Sequence, residues 1–371
     1  MVHKLANVKV SRDESAWEVE VRAEIPAPTL ARFREETLKE MQKTTQLDGF
    51  RKGNAPIGRI VQIYGEQAIL HRAAEAAIQH ELPELLATEK LLIVEAPKVT
   101  IDDPIRQLAD GRPLSFTARA PLAPQVELPD YKKIAANINA KKEEISVTDE
   151  EHKEALTHLR RERARIGKME AGLEPQKAHE ESRAMKEGEL PALDEAFVQS
   201  LGMESTEKFS EAVRSNIKTE KEMRAREKQR AAILDDLVNE SRIKYPAMLR
   251  EYELDDMEAR IKHDLERPIR NSGSNGAGMG TTFEAYLKHI GKTREQLRTE
   301  WNDAANKRAK VRLILSEIAR RENIEADKER LLKEFAHAKE HVSNADPAAL
   351  HAHIVHALRN EATLEFLELF I

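Results

Sequence analysis

Asp48-Gly49-Phe50-Arg51-Lys52-Gly53-Asn54-Ala55-Pro56, running on into Ile57-Gly58-Arg59-Ile60-Val61-Gln62-Ile63-Tyr64-Gly65, is the stretch on which the reading of this 371-residue chain turns. It reads as a tight loop opening a short helix. Gly49 and Gly53 allow backbone angles that other residues resist. Pro56 suits the first turn of a helix, where its missing N–H has no partner in any case. Ile57, Ile60, Val61 and Tyr64 then recur at helical spacing, and Gly65 is a natural stop. One ring and two cations, Phe50, Arg51 and Lys52, are held between two glycines. They could meet phosphate or carboxylate with the charges and an apolar niche with the ring. Taken alone, the same pattern also describes a solvated turn whose ring tucks into its own domain.

Outward from the loop, composition sets the frame. Hydrophobic residues are 40%, charged residues 34% and aromatic residues 4% of the chain. That balance favours helices with wide solvated faces over one large core. Mean hydropathy is −0.62, yet the apolar residues keep a period, so the chain is not of the disordered class. The net charge of −6 makes global attraction to nucleic acid unexpected, leaving any such contact to a local basic patch. With no cysteine, disulfides, thiol nucleophiles and thiolate metal sites are excluded. No apolar run is long enough to span a bilayer, so a cytoplasmic location is the expectation, with neither membrane nor DNA as partner.

Before the loop, Trp17, Val19, Val21, Ala23 and Ile25 alternate with charged residues, the mark of a half-buried strand. Val8 and Val10 suggest an earlier strand, joined by a turn over residues 11–15. Helices are expected over residues 27–46 and 67–87. Further strands are expected from Leu91-Leu92-Ile93-Val94 to Ile101 and over Leu114, Phe116, Ala118 and Ala120, after an Asp110-Gly111 turn. This describes a compact α+β domain over residues 1–129. From Thr148, a candidate N-cap, the pattern turns helical, and residues 171–188 look like a linker or loose turn. Long helices are then expected over residues 207–241, 246–267, 293–322, 326–341 and 347–371, with a short one from Phe283. Residues 271–280, rich in Gly, Ser and Asn, read as a loop that matches no phosphate-binding motif.

Nothing in the chain marks catalytic chemistry. His337 and His341, then His351, His353 and His356, could share helix faces, but no HExxH pattern is present and these read as surface histidines. Glu150-Glu151 and Glu180-Glu181 lack the apolar surroundings that shift a carboxyl pKa, and read as solvated faces.

The run Gly49-Phe50-Arg51-Lys52-Gly53-x-Ala55-Pro56, with the helix ending Tyr64-Gly65, resembles the signature of bacterial trigger factor. The resemblance implies that this loop docks the chain on the large ribosomal subunit beside the exit tunnel. Phe50, Arg51, Lys52, Gly49 and Gly53 would be the docking residues, facing rRNA and an exit-site ribosomal protein. One position departs: a residue usually basic in the family is Asn54 here, and Arg59 can supply part of the missing charge. Leu190-Pro191-Ala192-Leu193-Asp194-Glu195-Ala196-Phe197, followed by Leu201-Gly202, resembles the entry to the family's C-terminal domain, and Tyr245-Pro246 a helix break within it. Residues 131–139 resemble the family's short connecting strand.

Most of the family carries an FK506-binding-type prolyl isomerase domain in the middle of the chain. Here residues 141–190 hold no Phe, Tyr or Trp and no alternating run. The expectation is therefore three parts: a ribosome-binding α+β domain (1–129), a connector where the isomerase would sit (130–189), and an elongated, mostly α-helical client-binding domain with arms (190–371). No cofactor, metal or nucleotide is implied. Unfolded nascent polypeptides are the expected clients, held by Met248, Leu249, Tyr252, Met257, Phe283, Trp301 and Phe366. Adaptable methionines, Met223 among them, suit such contacts. The tail at Phe366 is read first as packing against neighbouring helices, and a homodimer is allowed. The rival readings are a ribosome-independent holdase, a helical scaffold, and a chaperone with residual isomerase activity.

Overall fold

Val19, Val21, Ala23 and Ile25 point to one side of β2 (Glu18–Ile25) and are buried, while the residues between them face outward. In this computed structural model, residues 3–46, 50–101, 112–141, 144–266, 282–341 and 346–370 are described. β1 (Ala6–Asp13), β3 (Lys98–Ile101) and β4 (Leu114–Pro121) join β2 in an antiparallel sheet of order β1-β2-β4-β3. Val21 pairs with Ala118 and Ala23 with Phe116, so both strands turn the same alternating set inward. The sheet meets α1 (Ala27–Thr44) and α3 (Glu66–Thr88), with α2 (Ile57–Tyr64) between them in sequence. Ala73, Ala74 and Ala77 keep α3 thin enough for a close approach, and Ile78, Leu82, Leu85 and Leu86 fill the remaining space beside Phe116 and Trp17. Each large side chain taken out of water here stabilises the fold by about 1.5–3 kcal/mol. The buried Glu81 is compensated: its carboxylate accepts from the Lys4 backbone N–H at 2.7 Å and from Arg32 at 3.4 Å.

The chain forms two compact units. One comprises residues 1–128 and 241–317, the other residues 129–240 and 318–371. In the first unit, β5 (Gln125–Glu127) pairs antiparallel with β6 (Arg242–Lys244), a pairing of segments far apart in sequence that periodicity does not suggest. The same unit holds α9 (Ala247–Glu266), α10 (Phe283–Ile290) and residues 294–317 of α11 (Arg294–Glu322). The second holds α4 (Tyr131–Asn139), α5 (Asp149–Glu170), α6 (Pro175–Ala184), α7 (Glu195–Ser200), α8 (Thr206–Glu240), α12 (Lys328–His341) and α13 (Pro347–Glu368). Sheet-and-helix first and helices after is the α+β-then-α order expected from the sequence.

Three local expectations are corrected. Residues 131–139 form a helix, not a connecting strand. Asp130 caps it by accepting from the Lys133 N–H at 3.1 Å, and Tyr131, Ile134, Ala135 and Asn139 fall on its buried side at helical spacing. Residues 91–97 are not continuous strand. Ile93 makes one isolated bridge to Leu122, and regular pairing begins only after Pro97, which cannot donate to the ladder. Within residues 171–188, Pro175 starts α6, whose Ala178 and Ser182 are buried. A single 3-10 turn, Glu187–Glu189, follows. At Thr148 the cap expected from sequence is a full capping box: its Oγ accepts from the Glu151 N–H, and the Glu151 carboxylate accepts from the Thr148 N–H. The Asp110-Gly111 turn, the loop over residues 271–280 and Gly49 lie outside the described residues.

Candidate functional site

α1 ends at Thr44, where the Thr45 N–H still reaches the Met41 carbonyl at 2.9 Å. The chain re-emerges at Phe50, which is 38% exposed. Arg51 and Lys52 are exposed beside it. The Asn54 N–H donates to the Arg51 carbonyl at 2.9 Å, closing a tight turn, and Gly53 sits at φ +90° within it. A side chain there is strained, which is the physical reason for glycine. Ala55 then drops to 1% exposure among Leu38, Met41, Ile60 and Ile69, with Val61 against them. Gln42 donates from Nε2 to the Ala55 carbonyl at 2.7 Å. Pro56 is the N-cap residue of α2 and not part of its first turn, and its carbonyl accepts from Arg59 and Ile60.

α2 differs from a simple amphipathic helix. Ile60 is fully buried and Val61 half-buried, but Ile57, Ile63 and Tyr64 are exposed. Two members of the apolar stripe, Ile57 and Tyr64, therefore face solvent, because an eight-residue helix lying on a small cluster can bury only one narrow edge. Arg59 is exposed on the same helix and donates to Gln62 at 2.7 Å. Tyr64 lies under the Arg72 guanidinium at 5.8 Å. The junction to α3 is pinned by Arg34, whose guanidinium donates to both Glu66 carboxylate oxygens at 2.5 and 2.9 Å. The hydrogen bond from Arg34 lowers the Glu66 pKa. The result is a rigidly based platform that exposes two rings, Phe50 and Tyr64, two isoleucines, Ile57 and Ile63, and the cations Arg51, Lys52 and Arg59. Ile63, outside the stripe of Ile57, Ile60, Val61 and Tyr64, was the signal for an outward apolar residue. Gln42 carried no sequence signal.

The residues expected to hold clients are dispersed. Tyr252 is exposed, with its hydroxyl donating to Glu95 at 2.5 Å, a bond that raises the phenol pKa. Met248 is half-buried at a depression of about 630 Å³ that also meets Glu18, Arg22, Glu95, Lys98 and Arg119. Leu249 and Met257 are half-buried. Phe283 is only 8% exposed. With Leu265 and Leu297 it forms the core of the α9–α10–α11 helices, and Trp301 packs on that core. Phe283 thus serves packing, since its ring joins three helices and stacks on Tyr286. Phe366, in the other unit, is half-buried edge-on to Phe370 at 5.0 Å. Met223 on α8 is exposed.

Among the described residues no three His, Asp or Glu side chains are grouped to hold a metal, and no helix is long and apolar enough to cross a membrane. His337, His351 and His353 are exposed and His356 is half-buried, while the His341 side chain lies outside the described set.

Against known proteins, residues 6–159 match the family model of bacterial trigger factor protein, and residues 205–352 match the model of its C-terminus. The trigger factor of Caldicellulosiruptor bescii is 25% identical over 88% of this chain and 86% of its own length. Those of Bacillus pumilus (23%, over 84% and 87%) and Streptomyces coelicolor (26%, over 84% and 77%) are similar at comparable levels. A solved structure, reported with promiscuous substrate recognition in the folding and assembly activities of the trigger factor chaperone, superposes with a TM-score of 0.52. It is 13% identical and covers 97% of this chain and 99% of its own.

Proposed function

Because the chain belongs to the bacterial trigger factor family, we propose that it is an ATP-independent chaperone that docks at the ribosomal exit site and shields apolar segments of emerging polypeptides. The observation that carries this reading is the exposed Phe50, Arg51 and Lys52 on a loop anchored by the buried Ala55. Charge on Arg51, Lys52 and Arg59 suits rRNA phosphate or acidic side chains, and Phe50 with Ile57 and Ile63 suits an apolar niche. Clients are held by exposed or half-buried Met248, Leu249, Tyr252, Met257, Trp301 and Phe366, each weakly. Release follows when the client buries its own apolar surface, with no nucleotide required. Phe283 is left out of this set because of its burial.

The chain acts without a prolyl isomerase domain. The two family matches leave residues 160–204 between them. The described residues from Asp130 to Glu240 are helical wherever they are regular, and residues 141–190 have no aromatic side chain with which to line an isomerase pocket.

Ribosome co-sedimentation across a salt series tests the docking role. The wild type pellets with ribosomes and releases as salt rises, and the Phe50→Ala/Arg51→Ala/Lys52→Ala variant stays in the supernatant. Equal pelleting of both proteins would reduce the loop to a structural turn and overturn the assignment. A proline-limited refolding assay checks the absence of isomerase activity, with an unaccelerated slow phase expected.

A further inference from the structure

Residues 186–194 leave α6 and cross α5 before α7 begins, and they are held mainly through their main chain, with Leu190 buried and two surface ion pairs beside it. Arg160 of α5 donates from Nε to the Pro191 carbonyl at 3.0 Å and from Nη2 to the carbonyls of Leu190 (2.7 Å) and Glu187 (3.0 Å). Arg163, one turn on, donates to the Ala192 carbonyl and faces the Asp194 carboxylate at 3.3 Å. Its guanidinium stacks on Phe197 at 4.4 Å. Four carbonyls of one short segment are thus met by two arginines. By contrast, the side chains of Lys186, Glu189 and Ala192 are exposed to solvent, and the exposed carboxylates of Glu187 and Asp194 pair at the surface with Lys153 (3.3 Å) and Arg163 of α5. Leu190 is the exception at 4% exposure, with Pro191 and Leu193 half-buried.

We propose that α5 carries a groove for the main chain of an extended polypeptide, and that residues 186–194 fill it as a displaceable intramolecular strap. The proposal rests on the reading of the chain as a binder of unfolded polypeptides and names one place where they bind. The chemistry fits such a ligand. Every peptide offers carbonyls, so charge-assisted donation from Arg160 and Arg163 reads no sequence. Selection is left to one apolar side chain in the Leu190 position. An incoming apolar-Pro segment in extended form reproduces residues 190–192 of the strap, which follow the 3-10 turn Glu187–Glu189. Displacement as far as Ala192 leaves both neighbouring helices intact, because the α7 cap, Asp194 accepting from the Phe197 N–H at 2.9 Å, lies beyond it. The strap then acts as a tethered competitor that keeps the groove closed until client is abundant.

The chain has no cysteine, so single thiols report on the strap in the full-length protein. In Leu190→Cys the thiol should react with a maleimide about tenfold more slowly than in Ala192→Cys, whose side chain is exposed. Saturating reduced, carboxymethylated lactalbumin should accelerate the Leu190→Cys reaction about fivefold, and Arg160→Ala should accelerate it without any client. A fluorescein-labelled peptide with the sequence of residues 185–195 should bind the Leu190→Ser chain about tenfold tighter than the wild type, and adding Arg160→Ala should abolish that binding. If lactalbumin co-elutes with the protein yet leaves the maleimide rate of the Leu190→Cys variant unchanged, the strap is a fixed link and the proposal falls. It falls equally if the peptide binds neither chain. If lactalbumin does not co-elute at all, the chaperone reading fails, and the peptide measurement still decides whether the groove exists.

Discussion

Gln42 Nε2 donates to the Ala55 carbonyl oxygen at 2.7 Å, tying the last turn of α1 to the base of the loop that carries Phe50, Arg51 and Lys52. Ala55 is buried, so its carbonyl has no easy alternative partner. Replacing Gln42 by Leu keeps the volume and removes the donor. We expect a loss of about 1–2 kcal/mol in stability. Ribosome pelleting should weaken several-fold although every docking side chain is still present. Unchanged pelleting alongside the stability loss would mean that docking tolerates a loose loop base.

Gly65 ends α2 and precedes α3 at φ +77°, donating to the Val61 carbonyl at 2.9 Å while its own carbonyl accepts from Ile69 at 3.3 Å. No neighbouring atom would meet an added Cβ, so the strain of Gly65→Ala is purely conformational: φ +77° with ψ 146° is a region open essentially to glycine alone, and the cost is about 1–3 kcal/mol. Hydrogen exchange should show faster opening confined to the α2–α3 junction. Protection lost across the whole sheet would contradict this local account.

Glu258 on α9 has a side chain only 4% exposed and is met by Lys262 (2.7 Å), Arg294 (2.8 Å) and Arg298 (3.1 Å). Burial alone would raise its pKa. The hydrogen bonds from the three cations outweigh that and bring it to about 2. The folded value lies below the unfolded value of 4.5, so the carboxylate stabilises the α9–α11 helices above pH 4.5. That stabilisation is lost as the pH falls from 4.5 towards about 2. Glu258→Ala should destabilise these helices by about 3 kcal/mol at neutral pH and flatten that acid-side slope. Circular dichroism melts at neutral and at acid pH check this. A slope as steep in the variant as in the wild type would assign the acid sensitivity to another group.

Asn139, at the end of α4, donates from Nδ2 to the carbonyls of Leu367 (3.0 Å) and Phe370 (2.6 Å) and accepts from Gln229 Nε2 at 2.5 Å. It thereby satisfies the C-terminus of α13, whose last carbonyls have no partner within the helix. Arg230 supports the same end, with its guanidinium on Glu361 (2.9 Å) and Glu368 (2.5 Å). Asn139→Ala should cost about 2 kcal/mol, and Asn139→Asp more, since an anion would then face carbonyl oxygens. Limited proteolysis reads the effect as earlier cleavage after residue 360.

Legibility in the sequence varied with the range of the interactions. The β2 alternation, the Thr148 cap and the long helices could be read because local pattern and tertiary burial agree there. Residues 131–139 misled because a resemblance to a connecting strand was set against helical spacing and an Asp130 cap, and the local physics prevailed. Residues 91–94 misled because an apolar run says nothing about how far a partner strand extends, and here pairing is limited to one bridge, Ile93 with Leu122, flanked by the bonds of Leu92 and Val94 to Ala123 and Pro121. At the loop, Gly53 and the ring beside two cations could be read directly. The hydrogen bond from Gln42, the burial of Ala55 and the outward turn of Ile57 and Tyr64 could not.

By itself the sequence determined the long helices and the β2 alternation, which family the chain belongs to, and that residues 141–190 hold no aromatic side chain. These properties reside in spacing, capping and residue type within a dozen positions. Tertiary structure alone decided that β5 pairs with β6 across more than a hundred residues, that Phe283 is core and not surface, and that Arg160 and Arg163 grip the carbonyls of Glu187, Leu190, Pro191 and Ala192. Those outcomes depend on which elements meet in space. A side chain's burial and a carbonyl's partner are properties of the neighbour it acquires, and no local pattern contains the neighbour.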